Sequence, residues 1–218
     1  MRQQPGRLIV VGGHTRGIGK TAVVAHLLRT LGWAGAAAVK ISAHRHATGP
    51  VAPVMIEEAR EASPETQTGR YLAAGAARAW LCRCPATRLP EAAAFIDALR
   101  ARGHDVLVES NRIVDVIEPD LLLFVVSARI DDWKASSAAC LQRADALVLS
   151  PGSAGVPDTV WRLAAPRTGP VRAFGLTADW AAPGLTPWVG RRLPRLPQDM
   201  TDVMAQPVAA GRRSGHGR

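Results

Sequence analysis

A glycine-rich segment near the N-terminus carries residue types and a spacing that suit phosphate binding. It covers residues 13–21 and reads Gly-His-Thr-Arg-Gly-Ile-Gly-Lys-Thr. Glycines let the backbone curl until successive N–H groups point inward, and the N-terminus of a following helix adds partial positive charge. Lys20 is placed to reach the β- and γ-phosphates, and the Thr21 hydroxyl is a ligand for Mg²⁺. The segment therefore predicts a site for a nucleoside triphosphate with Mg²⁺.

The spacing of this phosphate loop (residues 13–21) differs from the usual Walker A pattern. Five residues separate its first glycine from the Gly-Lys pair, where the usual loop has four. A predicted strand before the loop and a predicted helix after it favour phosphate binding over an ordinary structural turn. The predicted nucleotide-binding residues are Gly13, Thr15, Arg16, Gly17, Ile18, Gly19, Lys20, Thr21 and Ala22.

Two further charged residues end predicted strands. Glu109 closes the run Val-Leu-Val-Glu, where an acid near the phosphate loop helps to hold Mg²⁺, so Thr21 and Glu109 are the predicted metal ligands. Lys40 closes another strand, at the sheet edge where α/β proteins bind ligands. Only three of the 27 basic residues are lysines, which favours a special role for them. Lys20 and Lys40 are the predicted catalytic residues, and a solvated strand end is the alternative for both Glu109 and Lys40.

The elements that must position these residues alternate between strand and helix. Apolar runs predict strands at residues 8–11, 36–42, 105–109, 121–127, 146–150 and 171–175. Helical periodicity and end signals predict helices from Gly19 to Gly32 and at residues 54–62, 69–81, 90–102 and 135–143. This alternation predicts the α/β class, with a mainly parallel sheet covered by helices on both faces. Residues 5–178 form the predicted domain, and residues 181–218 a basic, flexible tail rich in Pro, Gly and Arg.

The phosphate loop resembles that of dethiobiotin synthetase, Gly-x-Thr/Asp-Thr-x-Val-Gly-Lys-Thr, which has the same five-residue spacing. The next strand is similar to that of the GTP-binding adaptor protein B of molybdopterin-guanine dinucleotide biosynthesis, because Lys40 closes it and His44 and His46 follow. Both families are P-loop NTPases, and the resemblance covers residues 7–46. It implies a three-layer α/β/α fold that binds ATP or GTP. In the synthetase a lysine at the position of Lys40 faces the phosphates, and an acid ends the strand that corresponds to Glu109.

Two functions follow from this resemblance. One is an accessory protein of cofactor biosynthesis, of the molybdopterin type, that hydrolyses its nucleotide slowly and acts on a partner protein. The other is an ATP-dependent ligase of the synthetase type that acts on a small carboxylate or amine. The loop histidines favour the first, as does Ser110-Asn111-Arg112, which stands where the synthetase has a glycine-rich turn. The absence of Asn-Lys-x-Asp after residue 150 weakens the case for guanine without establishing adenine, and a homodimer is also compatible with the sequence.

Composition limits the remaining classes. The net charge of +9 is concentrated partly in the tail, with no aromatic-interleaved basic patch, so nucleic acid is not an expected partner. No apolar run is long enough to span a membrane, and three cysteines form no disulfide framework, so we expect a cytoplasmic protein. Zinc held by the His44/His46 and Cys82/Cys84 pairs is an alternative to ordinary thiols and loop histidines. Arg70 and Arg78, eight residues apart on one predicted helix, are candidates for binding an anionic substrate, with a solvated helix face as the alternative. Lys134, at a predicted helix start, is a candidate to approach the site.

Overall fold

A single eight-stranded sheet organises the chain. The computed structural model describes residues 4–42, 53–128, 135–164 and 171–194. In these ranges the strand order is β3-β4-β2-β5-β1-β6-β7-β8, and every neighbouring pair is parallel except β3 with β4. The strands are β1 (Leu8–Gly13), β2 (Ala37–Ser42), β3 (Met55–Glu58), β4 (Arg78–Arg83), β5 (Val106–Glu109), β6 (Leu121–Val126), β7 (Ala146–Leu149) and β8 (Arg172–Gly175).

Helices cover both faces of this sheet. They are α1 (Lys20–Thr30), α2 (Gln67–Ala73), α3 (Leu89–Ala101), α4 (Ala135–Gln142), α5 (Asp158–Leu163) and α6 (Leu185–Arg192), with short 3-10 helices at Ala86–Arg88 and Ile113–Asp115. Alternate residues of β1 show the two cores: Leu8 and Val10 pack with α3, α4 and α5, whereas Ile9 and Val11 pack with α1, α2 and α6. The side-chain period of a strand is two residues, so a strand buried on both faces reads as a continuous apolar run. The predicted fold class, a mainly parallel sheet covered by helices on both faces in three α/β/α layers, is confirmed.

The strand order brings the predicted site residues to one edge of the sheet. β1 lies between β5 and β6, and β5 also pairs with β2. In the register Glu109 is opposite both Val11 and Lys40. The carboxyl end of β1 leads into the phosphate loop, so these three neighbouring strands deliver the loop, the acid and the second lysine to one place.

Between β2 and α3 one predicted helix is wrong and another is correct only in its first part. Residues 54–62 contain the edge strand β3, and predicted helix 69–81 ends early, because α2 stops at Ala73 and β4 begins at Arg78. Gly75 has φ 101°, and the N–H groups of Gly75 and Ala76 bond to the carbonyls of Leu72 and Tyr71, which closes the helix. The alanine-rich sequence favours a helix locally. Pairing of β4 with both β2 and β3 overrides that preference.

The predicted flexible tail does not begin at residue 181. Residues 185–192 form α6, which buries Leu185, Trp188 and Val189 against the core that also contains α1. The folded unit therefore extends past the predicted boundary at residue 178, and residues 195–218 lie outside the described ranges. None of the described helices combines the length and the hydrophobicity needed to cross a membrane.

Candidate phosphate-binding site

The phosphate loop joins β1 to the N-terminus of α1 in a conformation that requires glycine. Gly17 has φ 74° and Gly19 has φ 107°, both in the left-handed region that side chains with a Cβ rarely adopt. Gly19 precedes the first helical residue, yet no side chain caps the helix there, and its first turn carries no acidic residue. The N–H groups and the positive end of the helix dipole therefore suit an anionic ligand.

The extra residue of the loop is accommodated by burying Ile18. Ile18 is 2% exposed, and a Cβ on Gly13 would lie 2.7 Å from its Cδ1 atom and 2.9 Å from the Val125 carbonyl oxygen. Gly13 must therefore be glycine for the loop to close over the sheet. Arg16 and Gly17 form the exposed tip of the loop, and Thr15 is buried beneath it. The five-residue spacing thus gives a compact loop with an apolar anchor.

Lys20 begins α1 and reaches back across the loop. Its ammonium donates a hydrogen bond to the carbonyl oxygen of Thr15, five residues earlier. The loop therefore curls around this ammonium, as a lysine that contacts the terminal phosphates of a nucleotide requires. Ala22 follows in the same turn and is half-buried.

Glu109 is the centre of a buried polar cluster at the first turn of α1. Its side chain is 2% exposed and accepts hydrogen bonds from the Thr21 hydroxyl at 2.7 Å and from the Tyr71 hydroxyl at 2.5 Å. The ammonium of Lys40 forms an ion pair and a hydrogen bond with the other carboxylate oxygen. The structure thus brings together the two predicted metal ligands, Thr21 and Glu109, and one of the two predicted catalytic lysines, Lys40. Lys20 precedes Thr21 in the chain, and its ammonium bonds to the Thr15 carbonyl.

The surroundings of Glu109 determine its charge. Burial by itself raises the pKa of the carboxyl group, but the positive charge of Lys40 and the hydrogen bonds from Lys40, Tyr71 and Thr21 outweigh it and lower the pKa. Burial and the neighbouring carboxylate raise the pKa of Tyr71 well above its usual value. Glu109 is therefore a carboxylate and Tyr71 a neutral donor at neutral pH.

The lowered pKa of Glu109 predicts how stability depends on pH. Because the unfolded chain has the higher value of about 4.3, the carboxylate stabilises the folded state above that pH and loses this contribution as the pH falls through the folded pKa. We expect the difference in unfolding free energy between wild type and Glu109→Gln to be largest at neutral pH and to shrink below about pH 4. Urea unfolding at several pH values measures it, and a difference that stays constant from neutral to acidic pH would contradict the cluster.

The oxygen donors of this cluster fit Mg²⁺. Magnesium prefers hard oxygen ligands and is held by one or two protein groups together with phosphates and water. The Thr21 hydroxyl and the Glu109 carboxylate are in direct contact and carry one net negative charge between them. These two groups would hold the ion at the end of the phosphate loop.

Three residues at the site were not identified from the sequence. Tyr71 and Gln67 come from α2, and the Gln67 side-chain amide donates to the Thr21 hydroxyl at 3.1 Å. Asn111 follows β5, and its amide bonds to both the N–H and the carbonyl of Gly13, each at 2.7 Å. Only the position of Asn111, two residues after Glu109, is a usable sequence signal. The α2 residues are 46 and 38 positions from their partners Thr21 and Glu109 in the chain, so no local pattern identifies them.

An aromatic side chain packs against the end of the loop. Trp180 lies in the turn after β8 and has φ 63°, unusual for a residue with a Cβ. A Cβ on Gly19 would lie 2.3 Å from the Cζ3 atom of Trp180, so the indole covers this glycine closely. The Thr177 side chain holds the turn by bonding to the N–H and the carbonyl of Ala181. This turn crosses the predicted boundary between the domain, which ends at residue 178, and the tail, which begins at residue 181.

The other sequence candidates are not brought into the site. Cys82 and Cys84 are buried free thiols on and just after β4, and burial raises the pKa of Cys82 to about 12. Among the described residues no three His, Cys, Asp or Glu side chains are grouped to hold a metal ion. Arg70 and Arg78 are not on one helix, because Arg78 begins β4 and pairs with Glu58. The remaining three candidates lie outside the described residues: His44, His46 and Lys134.

Comparison with known proteins gives a distant likeness to two solved structures. LpxK from Aquifex aeolicus, solved in complex with ATP, aligns at 16% identity with a TM-score of 0.41, over 82% of this chain and 58% of that protein. The 54 kDa protein of the signal recognition particle from Aeropyrum pernix K1, in complex with GDP, aligns at 14% identity with a TM-score of 0.46, over 93% and 48%. The chain spans about half the length of these structures. No family model and no curated protein matches the sequence.

Proposed function

We propose that this chain binds a nucleoside triphosphate, ATP or GTP, with Mg²⁺ in the phosphate loop and hydrolyses it slowly. The observation that carries the proposal is the contact between the Thr21 hydroxyl and the Glu109 carboxylate at 2.7 Å, directly behind the uncapped N-terminus of α1. The proposed phosphate donors and the proposed metal ligands therefore lie side by side at the start of α1, and this supports the proposal. The N–H groups suit the phosphate oxygens of a Mg²⁺–triphosphate ligand, and the hydroxyl and carboxylate oxygens suit its metal ion.

The chain's own residues would act by position and charge. Backbone N–H groups of residues 17–21 and the Lys20 ammonium would hold the phosphate oxygens, and Lys40 would add positive charge beside Glu109. Thr21 and Glu109 would hold Mg²⁺, which when bound neutralises charge on the phosphate oxygens. Glu109 is a weak proton acceptor because its pKa is lowered and its oxygens already accept three side-chain hydrogen bonds. Hydrolysis without a partner is therefore expected to be slow.

An accessory role in cofactor biosynthesis, of the molybdopterin type, is the function we favour over a ligase. In the synthetase pattern a glycine-rich turn follows the acid. Here Asn111 stands at that position, and its side-chain amide bonds to the backbone of Gly13. The site therefore offers support for the phosphate loop where the synthetase-type pattern has an open turn. A nucleotide-dependent adaptor needs such a loop and a partner protein, and it needs no pocket for a small carboxylate.

Equilibrium binding of labelled ATP and GTP with Mg²⁺ tests the central proposal. Wild type is expected to bind one of them in the micromolar range, and Lys20→Ala to bind it about 100-fold more weakly, which corresponds to about 2.7 kcal/mol. Arg29→Ala is the matched control, because it removes an exposed cation near the other end of α1 and is expected to bind normally. Folded wild-type protein that binds neither nucleotide would overturn the proposal.

Turnover then separates the adaptor from the ligase. We expect slow hydrolysis that small carboxylates and amines leave unchanged. Stimulation of phosphate release by a small carboxylate or amine would instead support the ligase, and the identity of the tighter nucleotide would establish the preference for adenine or guanine.

A further inference from the structure

Three carbonyl groups of the phosphate loop accept hydrogen bonds from polar side chains outside the loop. The Asn111 amide donates to the Gly13 carbonyl at 2.7 Å, the Ser137 hydroxyl to the His14 carbonyl at 2.8 Å, and the Ser150 hydroxyl to the Ile18 carbonyl at 2.6 Å. These donors come from three elements: the turn after β5, helix α4 and the end of β7. They hydrogen-bond to the loop at its start and near its end.

Two of the three donors, the serines, are buried, and Asn111 is half-buried. Ser137 is 0% exposed and Ser150 is 8% exposed, and the amide of Asn111 also donates to the Ser137 hydroxyl at 3.1 Å. A buried hydroxyl or amide that loses its partner costs free energy, so these contacts are held firmly. Asn111 and Ser137 thus act as one linked pair at the start of the loop.

Asn111 continues the sheet where the backbone of β5 stops. The ladder between β1 and β5 ends at the pair Val11–Glu109, and the Ser110 N–H makes a last backbone bond to the Val11 carbonyl. Beyond that point the side-chain amide of Asn111 bonds to the N–H and the carbonyl of Gly13, as a backbone peptide group of a neighbouring strand would. The chain therefore leaves the sheet at a fixed place and in a fixed direction.

Fixing a carbonyl also fixes the next N–H group. In a planar trans peptide the carbonyl and the following N–H point in opposite directions. The bonds from Ser137 and Ser150 hold the carbonyls of His14 and Ile18 and therefore restrict the direction of the N–H groups of Thr15 and Gly19. Donors that are already held in one direction need less rearrangement when an anion binds, and this raises affinity.

We propose that Asn111, Ser137 and Ser150 form a carbonyl clamp whose function is to position the phosphate loop for nucleotide binding. This inference rests on the proposed function, because the anion is the triphosphate assigned to the loop. The clamp explains why Ser110-Asn111-Arg112 replaces a glycine-rich turn: the amide must project toward Gly13. It also assigns a role to Ser150, which stands where guanine-binding relatives begin a base-recognition motif.

The affinity for inorganic triphosphate and the hydrogen exchange of loop amides test the clamp. Asn111→Ala and Ser150→Ala are each expected to weaken triphosphate binding about tenfold, which corresponds to about 1.4 kcal/mol, and to speed exchange at Thr15 and Gly19. Ser150→Thr keeps the hydroxyl and is expected to restore both values. Ser153→Ala is the control, because the Ser153 hydroxyl accepts a hydrogen bond from the Ala128 N–H, outside the phosphate loop.

Affinity and exchange together distinguish a failed clamp from a failed nucleotide site. If wild type binds nucleotide and Lys20→Ala does not, while both alanine variants match wild type in affinity and loop exchange, the clamp is wrong. If wild type binds nothing, the proposed function fails, and exchange measured without ligand still decides the clamp: faster exchange confined to the loop supports it, and unchanged exchange overturns it. A purely structural role would speed exchange along all of β1 and α1 and would not be restricted to the loop. If Asn111→Ala fails to fold, Ser150→Ala carries the test.

Discussion

Glu109→Ala is expected to lower the free energy of unfolding by about 3 kcal/mol and to abolish Mg²⁺-dependent nucleotide hydrolysis. The substitution removes one member of a buried ion pair and leaves the Lys40 ammonium, whose side chain is 15% exposed, without its counter-charge. It also leaves the hydroxyls of Tyr71 and Thr21 without their acceptor. Urea unfolding and phosphate release measure the two effects.

A double-mutant cycle shows whether the effect comes from the pair. Lys40→Ala leaves Glu109 buried with only hydroxyl partners, so it is also expected to destabilise the protein. The double variant Glu109→Ala/Lys40→Ala is expected to cost less than the sum of the single variants, because neither charge then remains unpaired. The control is Glu58→Ala, which breaks an exposed pair with Arg78 and is expected to leave stability almost unchanged. Additive single effects would mean that the ion pair does not organise the cluster.

Gly19→Ala is expected to reduce nucleotide affinity by about 100-fold and to lower the free energy of unfolding by about 2 kcal/mol. Two causes act together. The residue has φ 107°, a conformation that is strained for alanine, and the new Cβ would lie 2.3 Å from the indole of Trp180. Either the loop or the indole must move, and the loop N–H groups lose their common direction. Nucleotide titration, thermal unfolding and tryptophan fluorescence measure the change.

Two companion variants separate backbone strain from the steric clash. Trp180→Ala in the Gly19→Ala background removes the clash but keeps the strained φ, so it is expected to restore stability partly and affinity only slightly. Gly155→Ala is the control, because a Cβ at that exposed position meets no atom within 4 Å. Full recovery of affinity in the double variant would show that the backbone conformation of Gly19 is unimportant.

The failures of sequence-based prediction follow one physical pattern. The alanine-rich stretch before Trp80 and the Glu-rich stretch after Met55 both favour helices locally, and both become strands at the edge half of the sheet. Glu57 and Glu58 pair there with Arg83 and Arg78 of β4, and Trp80 is buried against α3 through Phe95. The two ion pairs join residues that are 20 and 26 positions apart in the chain. Helical propensity is a local property and gives no information about contacts at that separation.

The class of the fold and the place of the glycine-rich loop between a strand and a helix follow from the sequence alone, because both depend on local rules. Continuous apolar runs separated by helical periodicity predict a parallel sheet covered on two faces, and the glycines predict a tightly curled loop. Glu109 and Lys40 are predicted at one edge of the sheet, since strand ends of a parallel sheet converge there, and the register puts them opposite each other. Their part in binding stays a prediction.

What surrounds those residues depends on tertiary packing. Tyr71 reaches Glu109 from α2, Asn111 and Ser150 hold loop carbonyls from two other strand ends, and Trp180 covers Gly19 from the turn after β8. Such contacts depend on the strand order β5-β1-β6-β7-β8 and on the packing of helices over it. They join residues that are 38 positions apart for Tyr71 and Glu109 and 132 positions apart for Ser150 and Ile18. A side-chain hydrogen bond or a ring contact across that distance leaves no periodicity in one sequence, so the local pattern identifies the phosphate loop and the fold supplies the groups that position it.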